Sequence, residues 1–237
     1  MRYRLYRNYM VLLFLLALFS VLGTDAIYEK SRYFGMQKQT LKDSEFRSSF
    51  FSEEMRNKED YLSLECKTFL KNVEKEAVYF PIPESSVDKS LKISFADSWM
   101  SERTYKGFGV HEGTDIMASK NERGIYPVLS ISDGIVTNMG WLEKGGYRIG
   151  ISSDSGTYYY YAHLESYADL REGDFVKAGQ FLGYMGDSGY GQEGTIGKFH
   201  VHLHFGIYFY LDGGEISFNP YYLLRYLEKE KLIYSYS

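Results

Sequence analysis

The stretch Phe199-His200-Val201-His202-Leu203-His204-Phe205-Gly206-Ile207 places three of the chain's five histidines at alternate positions between apolar residues. In a β-strand successive side chains point to opposite faces, and residues two apart lie roughly 7 Å apart on the same face. Read as a strand, His200, His202 and His204 point one way, while Val201, Leu203 and Phe205 point the other. The apolar face packs on a core and holds an imidazole row on the opposite side. Such a row suits a metal or proton-transfer site, and the remainder of the chain must supply what it lacks.

The 237 residues allow one good-sized domain with appendages, and the 44% apolar content provides a core. The 24 tyrosines favour β-structure and groove linings over helices. A net charge of −4 with mixed signs gives no sign of nucleic-acid binding through a basic face. The single cysteine, Cys66, excludes an internal disulfide framework. It falls in an expected helix and reads as a small apolar packing residue.

Arg2, Arg4 and Arg7 precede the apolar run from Tyr9 to Gly23. A basic flank followed by some 15 apolar residues is the pattern of a secretory signal, shorter than the ~20 of a usual membrane span. Cleavage after Gly23 or Ala26 and retention as a signal anchor both fit, and either exports the rest. Residues 1–26 are therefore read as signal peptide or anchor, and 27–80 as a polar and helical stem. Within the stem Leu62, Cys66, Phe69, Leu70 and Val73 form one apolar helical face, giving an amphipathic helix from about Ser52 to Ala77. That helix either binds a partner or packs on the domain's own flank, the second being preferred. Pro81 and Pro83 end it.

Residues 81–237 read as an antiparallel β-domain, a sheet or sandwich with one short terminal helix. Leu91 to Phe95 alternates as a half-buried strand. Two short strands are expected around Asp133-Gly134. Tyr147 to Ser152 and Thr157 to His163 flank a Ser153-Asp154-Ser155-Gly156 turn, and Gly173 to Gly183 adds two more strands with glycine corners. His163 is expected to end its strand, with Tyr159 and Tyr161 on its own face. Asn219-Pro220 starts a helix expected to run from Tyr221 to about Lys231.

All five histidines lie in this domain: His111, His163, His200, His202 and His204. Nitrogen and carboxylate ligands without thiolate suit Zn²⁺, whose catalytic sites use three protein ligands and keep a position for water. His111 and Asp115 are separated by three residues, and Gly113 lets the backbone bend so both reach one ion. With one member of the histidine row they complete a three-ligand set. His163, with an unperturbed pKa near working pH, is then a candidate general base or oxyanion donor.

These residues resemble a family. His111-Glu112-Gly113-Thr114-Asp115 is similar to the His-x-x-x-Asp motif of the M23 zinc metallopeptidases of the lysostaphin and LytM type. Tyr161-Ala162-His163-Leu164 resembles that family's middle motif, and His202-Leu203-His204-Phe205 its terminal His-x-His. The likeness runs from about Phe80 to Tyr222 and includes Asp133-Gly134, Gly179-Gln180 and Asn219-Pro220. It implies one Zn²⁺ per chain on His111, Asp115 and His204, with His163 and His202 as the catalytic pair. The implied substrate is a peptidoglycan cross-bridge or stem peptide, outside the cytoplasm, with the enzyme secreted or held at the membrane. The row also permits His200-Val201-His202 as the terminal motif. The second pairing is preferred because Leu203, Phe205, Gly206 and Ile207 continue the family pattern, which leaves His200 facing solvent or lining the cleft.

Gly145-Gly146, Gly189, Gly191 and Gly194 are expected to form flexible loops around a peptide groove, which Tyr161 either walls or supports from within. The competing reading is a membrane-tethered, non-enzymatic module on the same fold, of the regulator or sporulation-assembly kind. Such modules lack motif residues, and this chain lacks none. A likeness of Val176 to Gly183 to lipoyl or biotinyl carriers fails because Tyr184-Met185-Gly186 offers no lysine.

Overall fold

The computed structural model describes residues 64–237, other than 106, 108, 212 and 213. The apolar run 9–23, the polar tether and the first part of the expected stem helix lie outside the described residues. Of the described residues, those within 64–209 and 217–237 fall in one compact unit and those within 210–216 in a second. Among the described residues no helix is long and apolar enough to cross a membrane.

The first described element is helix α1, Leu64–Glu76. Glu65 in its first turn and Lys75 in its last complement the helix dipole. Phe69 and Val73, one turn apart, are its buried residues. Phe69 stacks on Phe209 with ring centroids 4.1 Å apart and meets Phe218 edge-on at 5.5 Å. Of the two readings of this helix, packing on the domain's own flank is the one observed.

The domain is mainly β, as its alternating patterns imply. Its strands are β1 (Glu84–Ser85), β2 (Ile93–Phe95), β3 (Glu102–Arg103), β4 (Gly109–Val110), β5 (Thr114–Ala118), β6 (Pro127–Leu129) and β7 (Gly134–Leu142). They continue with β8 (Gly146–Ser152), β9 (Tyr158–Tyr167), β10 (Phe175–Val176), β11 (Phe181–Met185), β12 (His202–Leu211) and β13 (Gly214–Phe218). After helix α2 (Tyr221–Leu227) comes β14 (Ile233–Tyr234), which pairs in parallel with β1. Among the described residues the main sheet has ten strands, with a central path β10-β7-β8-β9-β12-β5-β2 that is antiparallel throughout. β3 and β4 form a separate antiparallel pair. The strands either side of Asp133-Gly134 do not pair with each other, since β6 pairs with β11 and β7 with β8 and β10.

The core lies on one face of the sheet. Leu203, Phe205 and Ile207 of β12, Tyr159 and Tyr161 of β9, and Ile149 and Ile151 of β8 are fully buried there. Buried aromatic and β-branched side chains at period two explain why these segments are strands. Tyr161 is a core residue, its hydroxyl accepting the Ile131 N–H at 2.9 Å, so it does not wall the groove. α2 is shorter than expected. Leu223, Leu224 and Leu227 bury its inner face, and past Leu227 the chain turns, with the Glu230 N–H bonded to the Leu227 carbonyl.

Two local departures from alternation position the site. β12 starts at His202, so His200 is not part of the strand and the three histidines do not form one row. β9 does not end at His163 but continues to Tyr167. His163 has φ +63°, and the pairing with β8 skips from Tyr161↔Ile149 to Leu164↔Tyr147. This bulge changes the parity of the strand. Leu164 takes over the core face from Tyr161, and His163 is turned toward the opposite side from Tyr159 and Tyr161.

Candidate metal centre

Strand register brings the centre together. On β5 the buried Thr114, Ile116 and Ala118 alternate with Asp115 and Met117. In the β5–β12 ladder Asp115 stands directly opposite His204, and on its other side His204 faces Ala162 of β9. Side chains directly opposite in an antiparallel pair meet on the same face. His111 arrives from the turn between β4 and β5, its backbone bonded both ways to the segment before β3: Met100 N to His111 O at 2.7 Å, and His111 N to Ser101 O at 2.9 Å. The chain bends at Gly113 as expected, and the glycine has a second use. A Cβ there would lie 2.6 Å from Cε1 and Nε2 of His204 and 2.7 Å from the Phe205 carbonyl. Glycine makes the space that the His204 ring occupies.

Three ligand atoms converge. His111 Nε2 lies 3.0 Å from Asp115 Oδ1 and 2.9 Å from His204 Nδ1, and His204 Nδ1 lies 3.1 Å from the same Oδ1. Ligand atoms of a tetrahedral ion held at about 2.0–2.1 Å are about 3.3 Å apart, so this triangle fits a Zn²⁺ with modest opening. The donor set, two imidazoles and one carboxylate, suits the same ion. Ser98 accepts from His111 Nδ1 through its carbonyl, at 3.1 Å, which leaves Nε2 unprotonated for a metal. Arg103 donates to the other carboxylate oxygen, Asp115 Oδ2, at 3.1 Å. Burial raises the Asp115 pKa, but the close polar contacts with the His111 and His204 rings outweigh it and hold the carboxyl well below its usual range. The group therefore stays anionic.

His202 and His163 stand beside this triangle without joining it. Their rings are 4.7 Å apart, and His163 is 6.0 Å from the His204 ring. His202 Nδ1 donates to the His200 carbonyl at 2.7 Å, and His163 Nδ1 to the Ser188 carbonyl at 2.7 Å. Each bond fixes the tautomer with a lone pair on Nε2. Burial lowers the pKa of both, more strongly for His163, where His202 and His204 add to the effect. Both imidazoles are neutral proton acceptors near neutral pH. His200 is exposed, bonded through Nε2 to the Ala118 carbonyl at 2.8 Å, and takes no part in the cluster.

Among the described residues the group able to hold a metal is His111, Asp115 and His204. The pattern that describes peptidase family M23 matches residues 109–219, a span that holds all five of these side chains. A Ruminococcus gnavus protein assigned as glycyl-glycine endopeptidase LytM has the same fold, with 53% identity and a TM-score of 0.67. That similarity covers 76% of this chain and 73% of the other.

This chain belongs to peptidase family M23. It is 42% identical over 153 residues to the L-Ala–D-Glu endopeptidase of Bacillus subtilis, covering 63% of this chain and 44% of the relative. Against lysostaphin of Staphylococcus simulans the identity is 35% over 99 residues, covering 41% of this chain and 18% of that protein. The chain thus spans less than half the length of these curated relatives.

Around the M23 centre the side chains open into a cleft of ≈450 Å³ whose walls include Arg103, Tyr105, Tyr190, Lys198 and Phe199. Tyr190 and Phe199 pack against the His163 ring, at 6.0 and 4.6 Å. The sequence offered no period or spacing that singles out these wall residues, because they come from short loops and from the two-residue strand β3. A Cβ at Gly194 would meet nothing within 4 Å, but Gly145, Gly146, Gly189 and Gly191 are packed rather than loose. Gly189, at φ +128°, lies so close to the Lys144 carbonyl and the Gly146 N–H that a Cβ would meet them at 2.5 and 2.9 Å. They lock the Ser188 segment that orients His163.

Proposed function

We propose that the protein is an exported zinc metalloendopeptidase that hydrolyses peptide bonds in bacterial peptidoglycan, in cross-bridges or stem peptides. One observation carries this reading: His111 Nε2, Asp115 Oδ1 and His204 Nδ1 lie within 3.1 Å of one another, beside two buried imidazoles that present unprotonated Nε2 atoms. Family membership supports the reaction class. The Bacillus subtilis relative named for an L-Ala–D-Glu link supports the substrate class, as does the Ruminococcus gnavus protein named for a glycyl-glycine link.

In this reading His111, Asp115 and His204 hold one Zn²⁺ per chain, while His163 and His202 perform the proton transfers. A zinc ion so held supplies Lewis acidity that polarises a carbonyl and acidifies water. His163 and His202, neutral through burial, accept the proton of the attacking water on Nε2. An Nε2 that has taken this proton becomes a donor, which bonds the developing oxyanion or passes the proton to the departing amine. The new C–O bond, the broken C–N bond and the transferred proton then balance. The Ser188 and His200 carbonyls keep both rings in the required tautomer throughout.

The basic and apolar N-terminus supports export, with residues 1–26 as cleaved signal or as anchor and residues 27–80 as the stem that presents domain 81–237 to the wall. The test is to incubate zinc-loaded protein with purified sacculi and search for new amino termini by mass spectrometry. We expect termini that vanish with chelator. His163→Ala and His202→Ala should lower the rate by about 10²–10⁴-fold with zinc retained. Zinc-bound, folded protein that releases no new termini would overturn the enzyme reading in favour of a scaffold.

A further inference from the structure

The cleft wall carries an uneven charge. Arg103 and Lys198 line it from two different segments, and the acidic group among the lining residues is Asp115, already turned toward the ligand triangle. Glu143 approaches the same region but lies outside the lining, 3.4 Å from the Tyr105 hydroxyl. The chain as a whole has a net charge of −4, so this local excess of positive charge runs against the average.

Arg103 spends one guanidinium nitrogen on Asp115 Oδ2, at 3.1 Å, and its side chain stays 41% exposed. A guanidinium has five N–H donors in a planar fork suited to a carboxylate. Most of that fork remains available in the cleft. Lys198 is exposed and makes no ion pair or hydrogen bond with another described residue. Its neighbour Phe199 packs on His163 and His202, which holds the lysine's backbone beside the reacting groups. A bound zinc adds further positive charge. The remaining wall is aromatic, which provides contact without a competing acid.

We propose that Arg103 and Lys198 bind a carboxylate of the substrate, so that the cleft selects a peptide bearing a free carboxylate next to the scissile bond over a neutral one. The inference rests on the peptidase reading above and chooses within it. An L-Ala–D-Glu link carries such a carboxylate; a glycine bridge has none. The competing role for Arg103, positioning Asp115 alone, predicts no preference between acidic and neutral peptides.

The experiment uses the full chain loaded with zinc and two synthetic stem peptides, identical except that the D-Glu carboxylate of one is a carboxamide in the other. Cleavage is followed as kcat/KM for each, and binding is measured by calorimetry with the cleavage-deficient His202→Ala protein. The acid form should be favoured by about ten- to a hundredfold, the range for losing a charge-assisted hydrogen bond. Arg103→Gln and Lys198→Gln should each shrink that preference by about tenfold while zinc content stays unchanged. Equal handling of acid and amide overturns the proposal. So does a preference that survives in both variants, or an Arg103→Gln defect that falls equally on both peptides and accompanies zinc loss. If neither peptide is cut but the acid binds the His202→Ala protein more tightly, the carboxylate site stands and the peptidase reading falls.

Discussion

At the scale of single residues, the point where β12 begins favours His204 over His200 as the proposed ligand. His204 sits inside the ladder, opposite Asp115, with its Nδ1 in the ligand triangle. His200 precedes the strand, is exposed, and bonds to a backbone carbonyl. Alternation alone could not separate them, because a strand starting at Phe199 and one starting at His202 give the same pattern over His202 and His204. The family likeness preferred His202-Leu203-His204, the pair that lies within β12. Atomic absorption on purified protein should find about one zinc per chain for His200→Ala and close to none for His204→Ala. The reverse pattern would mean that the ligand set is wrong. The same scale explains Gly113, where an added Cβ would press on the His204 ring at 2.6 Å. The motif's glycine is thus a packing requirement of a residue ninety-one positions away, which no local reading of the motif could reveal.

At the scale of elements, most of the fold was legible, because period-two burial is written directly into Leu203-Phe205-Ile207, Tyr159-Tyr161 and Ile149-Ile151. What escaped was the bulge in β9. A run of four tyrosines followed by Ala-His-Leu contains no glycine or proline to mark a break. The positive φ at His163 is imposed by tertiary contacts: its N–H to the Gly145 carbonyl at 2.8 Å, its carbonyl to the Gly186 N–H at 2.9 Å, and its Nδ1 to Ser188. Strained backbone at a proton-transfer residue is a common association, here with identified restraints. The other element whose role was open is α1, whose apolar face was legible but whose partner was not. Phe69 is buried between Phe209 and Phe218, so Phe69→Ala should destabilise the fold by about 3–5 kcal/mol. Urea denaturation of the full chain checks this. A cost below about 1 kcal/mol would mean that the helix is a loosely attached stem and not part of the domain.

At the scale of the whole molecule, the site is maintained at a cost to acid stability, because three neutral imidazoles are kept in the fold. Burial lowers the pKa of His163, His202 and His204 in the folded chain, whereas in the unfolded chain each titrates near 6.5. The unfolded state therefore binds more protons below that pH, and folding stability must fall as pH drops. Each imidazole contributes up to about 1.4 kcal/mol per pH unit, beginning near pH 6.5 and ending at its own lowered folded pKa. Asp115 acts in a lower window. Its depressed folded pKa contributes stability that is present above the ordinary carboxylate value of 3.8 and fades only below it. Between pH 7.5 and 5 the histidine term should then dominate among these groups. Denaturant titrations of zinc-free protein at half-unit steps should show a flat plateau above pH 7 and a decline that steepens below 6.5. His163→Gln, which keeps a polar side chain in the same pocket but cannot titrate, should make that decline shallower by about the share of one group. A stability curve flat down to pH 5 would mean that the imidazoles become charged in the folded chain as readily as in water. The basis for treating His163 and His202 as neutral proton acceptors at working pH would then be lost.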